Sequence, residues 1–167
     1  MFTGEEIAEL LEQSGVTHVV TVPDSTIGTW QSAIEARGTT RLVRVCREGE
    51  AWEVAAGLHL GGAHPVVMIQ CTGLFESGDA IRNVLHDWKL PIFSIIGYRS
   101  YLNQDTLPGD TCLVFTEPVL DEAHEQKQII FDPIPRVDGI DASDDPLLEL
   151  RAAVYLLSGR RRRVAPE

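Results

Sequence analysis

Four short stretches carry the side chains through which this chain of 167 residues could do chemistry. The first is Arg47-Glu48-Gly49-Glu50, which runs into AWEVAAGLHLGG. Glu48 stands nine residues before Gly57, ahead of a surface made small by Ala51, Ala55, Ala56 and Gly57. A carboxylate there can exchange or hold a proton. It can equally be a surface acid favoured by a helix N-terminus. The second stretch, Gln70-Cys71-Thr72-Gly73-Leu74, offers an amide, a hydroxyl and a flexible backbone, or simply a turn with a helix cap. The third, Gly97-Tyr98-Arg99, provides a guanidinium that can grip an anion through two parallel hydrogen bonds or pair with one of the many acids. In the fourth, Pro23-Asp24-Ser25, Asp24 or Ser25 can bind a ligand or cap the next helix.

Positioning these groups requires regular elements, and the hydropathy pattern supplies them in alternation. Residues 3–14 read as a helix with Ile7, Leu10 and Leu11 on one face. Thr3 is its N-cap, Glu6 follows three residues on, and Gly15 ends it. HVVTV (18–22), RLVRV (41–45), PVVMIQ (65–70) and PIFSIIG (91–97) read as buried strands. Helices are expected over 28–36, 49–60 and 76–87, the second closed by Gly61-Gly62. A less regular, acidic stretch covers 100–140, and a last helix about 145–157. Strands separated by helices of this length form βαβ units. The expected fold is α/β, a three-layer doubly wound domain with a mainly parallel sheet. It covers residues 1–158, and 159–167 form a basic tail. In such sheets ligands gather beyond the carboxyl ends of the strands. All four stretches fall at such ends.

Composition narrows the function classes. The 25 acidic and 14 basic residues give a net charge of −11, against the basic face of a nucleic-acid binder. The run Arg160 to Arg163 is the exception and reads as a solvated terminus. Apolar runs are short and broken, and the first residues are acidic, so neither a membrane span nor a leader is expected. Cys46, Cys71 and Cys112 make an odd number without a CxxC pair. That pattern suits a reducing, cytoplasmic setting without a disulfide framework or structural zinc. No metal held by this chain alone is expected. The absence of GxGxxG and GxxxxGK[ST] speaks against an unrelated nucleotide binder.

Singly these signals are weak, but their order is specific. Val22-Pro23-Asp24-Ser25 is followed by Glu48 to Gly57, which fits EGxAxxxAAG. Gln70 to Glu76 comes next, then Leu90-Pro91 through Ile96-Gly97-Tyr98-Arg99-Ser100, then Thr116 to Asp121. In this order the chain resembles the pyrimidine-binding domain of thiamine-diphosphate enzymes over about residues 5–157. The likeness is nearest to sulfopyruvate and phosphonopyruvate decarboxylases. It departs at Cys71, where those proteins carry Asn, at Phe75-Glu76 in place of Gly-Asn, and at Ser100 in place of Gly.

The resemblance implies a thiamine-diphosphate-dependent 2-oxoacid decarboxylase acting on an anionic substrate such as sulfopyruvate or phosphonopyruvate. Glu48 matches the carboxylate that shares a proton with N1′ of the aminopyrimidine. Pro23, Asp24, Gln70, Thr72 and Gly73 match cofactor-contacting positions. Arg99, with His86 or Arg82, is a candidate for the substrate's second charge. Arg82 and His86 serve equally as members of structural salt bridges. Burial is expected to raise the Glu48 pKa, since desolvation shifts a carboxyl by up to ~3–5 units and a helix dipole contributes only ~1 kcal/mol. Gly109-Asp110-Thr111 is not the GDG of a diphosphate motif, and no Asn follows it. The diphosphate and Mg²⁺ are therefore expected on a separate β subunit, in an α2β2 assembly or its multiples. The departures leave a second reading, a noncatalytic subunit of the same fold kept for assembly or regulation.

Overall fold

The computed structural model describes residues 3–25, 27–98 and 109–124. Helix α1 (Gly4–Gln13) opens with a reciprocal cap. The Thr3 hydroxyl accepts from Glu6 N at 3.2 Å, and the Glu6 carboxylate accepts from Thr3 N at 2.7 Å. Such a cap contributes about 1 kcal/mol to a helix end. Ile7, Ala8 and Leu11 form its buried stripe, and Gly15, at φ 70°, turns the chain into β1 (His18–Thr21). Helix α2 (Gly28–Arg37) ends on Gly38 at φ 72°, and β2 (Arg41–Arg44) follows. Helix α3 (Glu48–Leu60) and β3 (Pro65–Gln70) come next.

The chain leaves β3 directly into α4 (Cys71–Glu76), then α5 (Gly78–Ile81) and a π-helical turn (Arg82–Asp87). Strand β4 (Phe93–Gly97) and helix α6 (Cys112–His124) complete the described elements. The sheet is parallel throughout, in the order β2-β1-β3-β4.

Side chains alternate across the strands and feed two cores. Val19, Val66, Met68, Phe93 and Ile95 pack with Ile7, Leu11, Trp30 and Ile34 of α1 and α2. Val20, Val67, Ile69 and Ile96 face the other way, onto α3, α4, α5, the π turn and α6. Strand order explains this division. The step from β1 to β2 runs one way along the sheet, and the steps to β3 and β4 run the other. Crossovers of one hand then place their helices on opposite faces. The domain is three-layered and doubly wound, as the sequence pattern implies.

Two expectations need correction. The helix expected over 76–87 begins at Cys71 and is broken into three pieces. Ser77 forms the first junction, where its buried hydroxyl donates to the Gly73 carbonyl at 2.6 Å. The irregular stretch expected over 100–140 contains α6. Cys112, Thr116 and Leu120 lie on one buried stripe of it, spaced four apart. The stripe is too small and too polar to stand out in hydropathy, and the helix contains Pro118, which has no N–H to give. Pro118 is exposed and is tolerated on the outer side. The helix expected over 145–157 and the tail 159–167 lie outside the described residues. Among those described, no helix is long and apolar enough to cross a membrane.

Close packing of α1 on α2 depends on Gly4. A β-carbon there would stand 2.7 Å from the Thr29 carbonyl oxygen and 2.8 Å from Ala33 Cβ. Gly4→Ala is expected to lower unfolding stability by about 1–3 kcal/mol, as overpacking does, read from the midpoint of urea denaturation at unchanged slope.

Candidate functional site

In a parallel sheet all strands end on the same side, so the loops after β1 to β4 share one edge. Thr21 pairs with Arg44 and Met68, and Gln70 with Gly97, which levels the strand ends. The end of β1 is pinned from within. Buried Thr21 donates through Oγ1 to the Met68 carbonyl at 2.6 Å. Buried Gln31 of α2 donates to Thr21 Oγ1 at 2.8 Å and to the Val22 carbonyl at 2.9 Å. These bonds fix where Pro23 and Asp24 leave the sheet. Asp24 Oδ1 accepts from Ile27 N at 3.1 Å, so its carboxylate closes the turn into α2. Pro23 is exposed and Asp24 half-buried.

Glu48 is the first residue of α3, and its side chain lies across Gly73 of α4. A β-carbon on Gly73 would stand 2.6 Å from Glu48 Oε1 and 2.7 Å from Cδ, and would also overlap Cγ. The glycine is needed for the space it leaves. It has no positive φ and sits inside a helix, not in the flexible turn expected from the sequence. Among the described residues no group hydrogen-bonds the Glu48 carboxylate. Glu48 is half-buried. Gln70 and Thr72, both half-buried, flank the same seam, Gln70 as the N-cap residue of α4.

The residues that set this chain apart at the seam turn to structural partners. Cys71 is fully buried in the core beneath α4. It neighbours Cys112, whose thiol is pushed from about 9 up to about 11 by burial, then by Asp110 and Cys71. Phe75 meets Phe115 of α6 edge-on, with ring centres 6.3 Å apart. Glu76 binds Arg47 and accepts from Gly49 N at 2.8 Å. The Arg47 guanidinium, and then the Gly49 amide, hold the Glu76 carboxyl below its usual range. Composition gave no signal for the Arg47–Glu76 pair, because 29 residues separate its members. Tyr98, after β4, donates to the Leu113 carbonyl at 3.4 Å and ties that strand end to α6.

The structure brings Asp24, Glu48, Gln70, Thr72 and Gly73 to one edge of the sheet. It does not bring His86 there. His86 lies in the π-helical turn that returns the chain to the start of β4, at the other end of the strands. Arg82, in the same turn, pairs with Asp79 and Asp87 at 2.9 and 2.6 Å, the structural alternative. Arg99 and Ser100 lie outside the described residues.

Residues 1–129 match the family described as thiamine pyrophosphate enzyme, N-terminal TPP binding domain. The chain belongs to this family. The α subunit of sulfopyruvate decarboxylase from Methanococcus maripaludis is 30% identical over 104 residues, 62% of each chain. Phosphonopyruvate decarboxylase from Streptomyces viridochromogenes is 34% identical over 85 residues, 51% of this chain and 21% of that one. The chain thus spans about three fifths of the first relative and a fifth of the second. Benzoylformate decarboxylase from Polynucleobacter necessarius superposes with a TM-score of 0.55 at 24% identity, over 71% of this chain and 23% of that one. That likeness concerns the fold alone.

The seam fits the pyrimidine end of thiamine diphosphate. A carboxylate with no hydrogen-bond partner among the described residues lies over a glycine cradle, on the helix that Gln70 precedes and Thr72 belongs to. The cysteines give a direct check on the packing beneath it. Cys46 is exposed, and Cys71 and Cys112 are buried. At pH 8 iodoacetamide is expected to modify Cys46 at least about tenfold faster than Cys112, by peptide mass spectrometry, since the thiolate is the reacting form. The sign for stability follows from the raised Cys112 value. The folded state keeps this thiol protonated, so its contribution is complete below about pH 9 and is lost as pH rises through about 11. Cys112→Ser is expected to flatten that alkaline fall in the denaturation midpoint.

Proposed function

We propose that this chain is the pyrimidine-binding α subunit of a thiamine-diphosphate-dependent 2-oxoacid decarboxylase. The observation that carries the reading is the Glu48 carboxylate, held over Gly73 with no hydrogen-bond partner among the described residues. Family membership and the decarboxylases among the relatives support it. When bound, thiamine diphosphate supplies the electron sink that makes loss of carbon dioxide from a 2-oxoacid feasible.

The chain's own residues then bind and orient. Glu48 shares a proton with N1′ of the aminopyrimidine, a task for a carboxylate with a free lone pair facing a ring nitrogen. Gly73 leaves the space in which that carboxylate lies. Pro23, Asp24, Gln70 and Thr72 line the same edge and hold the ring. Arg99 takes the second charge of an anionic substrate such as sulfopyruvate or phosphonopyruvate. His86 has no part in this site. The diphosphate and Mg²⁺ belong to a separate β subunit, and the term α subunit in the relatives' names supports that division. We place the assembly, α2β2 or a multiple of it, in the cytoplasm.

The noncatalytic reading rests on Cys71, Phe75 and Glu76. In the structure Cys71 packs in the core, Phe75 meets Phe115 and Glu76 binds Arg47 and the Gly49 amide, and none of the three hydrogen-bonds the Glu48 carboxylate. That favours the catalytic reading.

The test uses the chain co-purified with its β partner, thiamine diphosphate and Mg²⁺. Carbon dioxide release is followed from sulfopyruvate and from phosphonopyruvate. Glu48→Gln is expected to abolish turnover, by at least about 10²–10⁴-fold, while the complex keeps its size in gel filtration. Near-normal turnover in that variant sinks the mechanism. Gly73→Ala is expected to displace the Glu48 side chain and lower turnover by a comparable factor, with the far-ultraviolet circular dichroism unchanged.

A further inference from the structure

The N-terminus of α3 has no cap of its own. Arg47 occupies the N-cap position with extended backbone, φ −140° and ψ 146°, and its side chain makes no capping bond. The first amide groups of a helix need acceptors. Glu50 reaches back past the N-cap to Cys46 N at 3.0 Å and so caps none of them. An acceptor for Gly49 N comes from another helix. Glu76, the last residue of α4, accepts from Gly49 N at 2.8 Å with one oxygen. Its other oxygen takes the Arg47 guanidinium, through Nε at 3.0 Å and through Nη2.

The two partners of Glu76 are the residues on either side of Glu48. Arg47 precedes it and Gly49 follows it, so one carboxylate grips the backbone around the carboxylate of interest from both flanks. Glu76 also stands three residues after Gly73, on the short helix that makes room for the Glu48 side chain. Helix α4 therefore defines both the space for the Glu48 side chain and the height of its backbone. Arg47 neutralises the charge that a lone Glu76 would add beside Glu48.

We propose that Glu76, with Arg47, is the positioning residue for Glu48, fixing the first turn of α3 so that the Glu48 carboxylate stays on the Gly73 seam. The clamp deepens the proposed function and rests on that reading of Glu48. Glu76 touches neither cofactor nor substrate in this scheme and acts only through the backbone of residues 47–49.

Two readouts test it, one of them independent of turnover. In the purified full chain without cofactor, amide hydrogen exchange at Gly49 is followed by NMR. Glu76→Ala is expected to accelerate it at least about tenfold. Glu76→Gln keeps an acceptor oxygen without the ion pair, and it should give a smaller acceleration. In the complex loaded with thiamine diphosphate, Glu76→Ala is expected to lower kcat by about 10–100-fold, the scale of a misplacement near 1 Å. KM for the 2-oxoacid should stay within about twofold. Arg47→Lys, which preserves the charge, should recover most of the kcat that Arg47→Ala loses.

Unchanged Gly49 exchange in both Glu76 variants overturns the clamp. So does a normal kcat in Glu76→Ala when Glu48→Gln is inactive in the same assay. Normal turnover in Glu48→Gln overturns the reading of Glu48 instead, and the exchange measurement still decides whether Glu76 holds Gly49. If Glu76→Ala does not fold, Glu76→Gln carries both measurements.

Discussion

The contact between the start of α3 and the first turn of α4 is close enough that a single β-carbon would forbid it. Glu48 lies where the side chain of residue 73 would be. Because α4 begins at the residue after the last of β3, without a loop, Gly73 has a fixed height above the sheet. Because α3 turns Ala51, Ala55 and Ala56 inward, it can settle against the sheet and α4. Small residues on one helix and a glycine on the other let the backbones approach. The carboxylate is held at the junction instead of extending into solvent.

The wider architecture turns this local contact into a site. A parallel sheet with β1 between β2 and β3 reverses its winding at that point, and a doubly wound sheet binds ligands there. The segment after β1 is tied by Thr21 and Gln31. The segment after β2 leads into Glu48, and the segment after β3 is α4 itself. Tyr98 joins the end of β4 to α6. The ends of β1 and β4 are thus fastened by buried or part-buried hydrogen bonds, which hold geometry better than exposed ones. The pairs Arg37–Glu5, Arg37–Glu12 and Arg44–Glu35 decorate the surface and contribute little to stability. Arg47 and Glu76 form an ion pair of the same chemical kind, but their position around Glu48 gives it a different consequence.

The departures at positions 71, 75 and 76 are absorbed by the fold. A thiol at position 71 suits a fully buried place next to Cys112, where a charged or strongly polar group would be costly. Phe75 fills the gap between α4 and α6. Glu76 supplies an acceptor to an uncapped helix end. Membership in the thiamine enzyme family accounts for the common frame. These side chains show how the frame is held together in this member.

The sequence alone determined the alternation of elements, because period-two and period-3.6 hydropathy and the Thr3–Glu6 cap are local signals. The four strands, the approximate extent of α1 to α3, and Glu48 at the junction of β2 and α3 were legible in that way. Motif order pointed to the family, since the spacing of Val22 to Ser25, Glu48 to Gly57 and Gln70 to Glu76 is a property of the chain itself. Tertiary structure decided what depends on partners distant in sequence. It put His86 in the π-helical turn on the way to β4, because the chain must cross the length of the sheet between α4 and β4. It replaced the flexible turn at Gly73 with a helix whose missing β-carbon receives Glu48. It recovered α6 from a stretch whose buried stripe of Cys112, Thr116 and Leu120 is nearly silent in hydropathy. It joined Glu76 to Arg47 and Gly49 across the gap between two helices. Hydropathy reports which side of an element is buried, and only packing reports what that side is buried against.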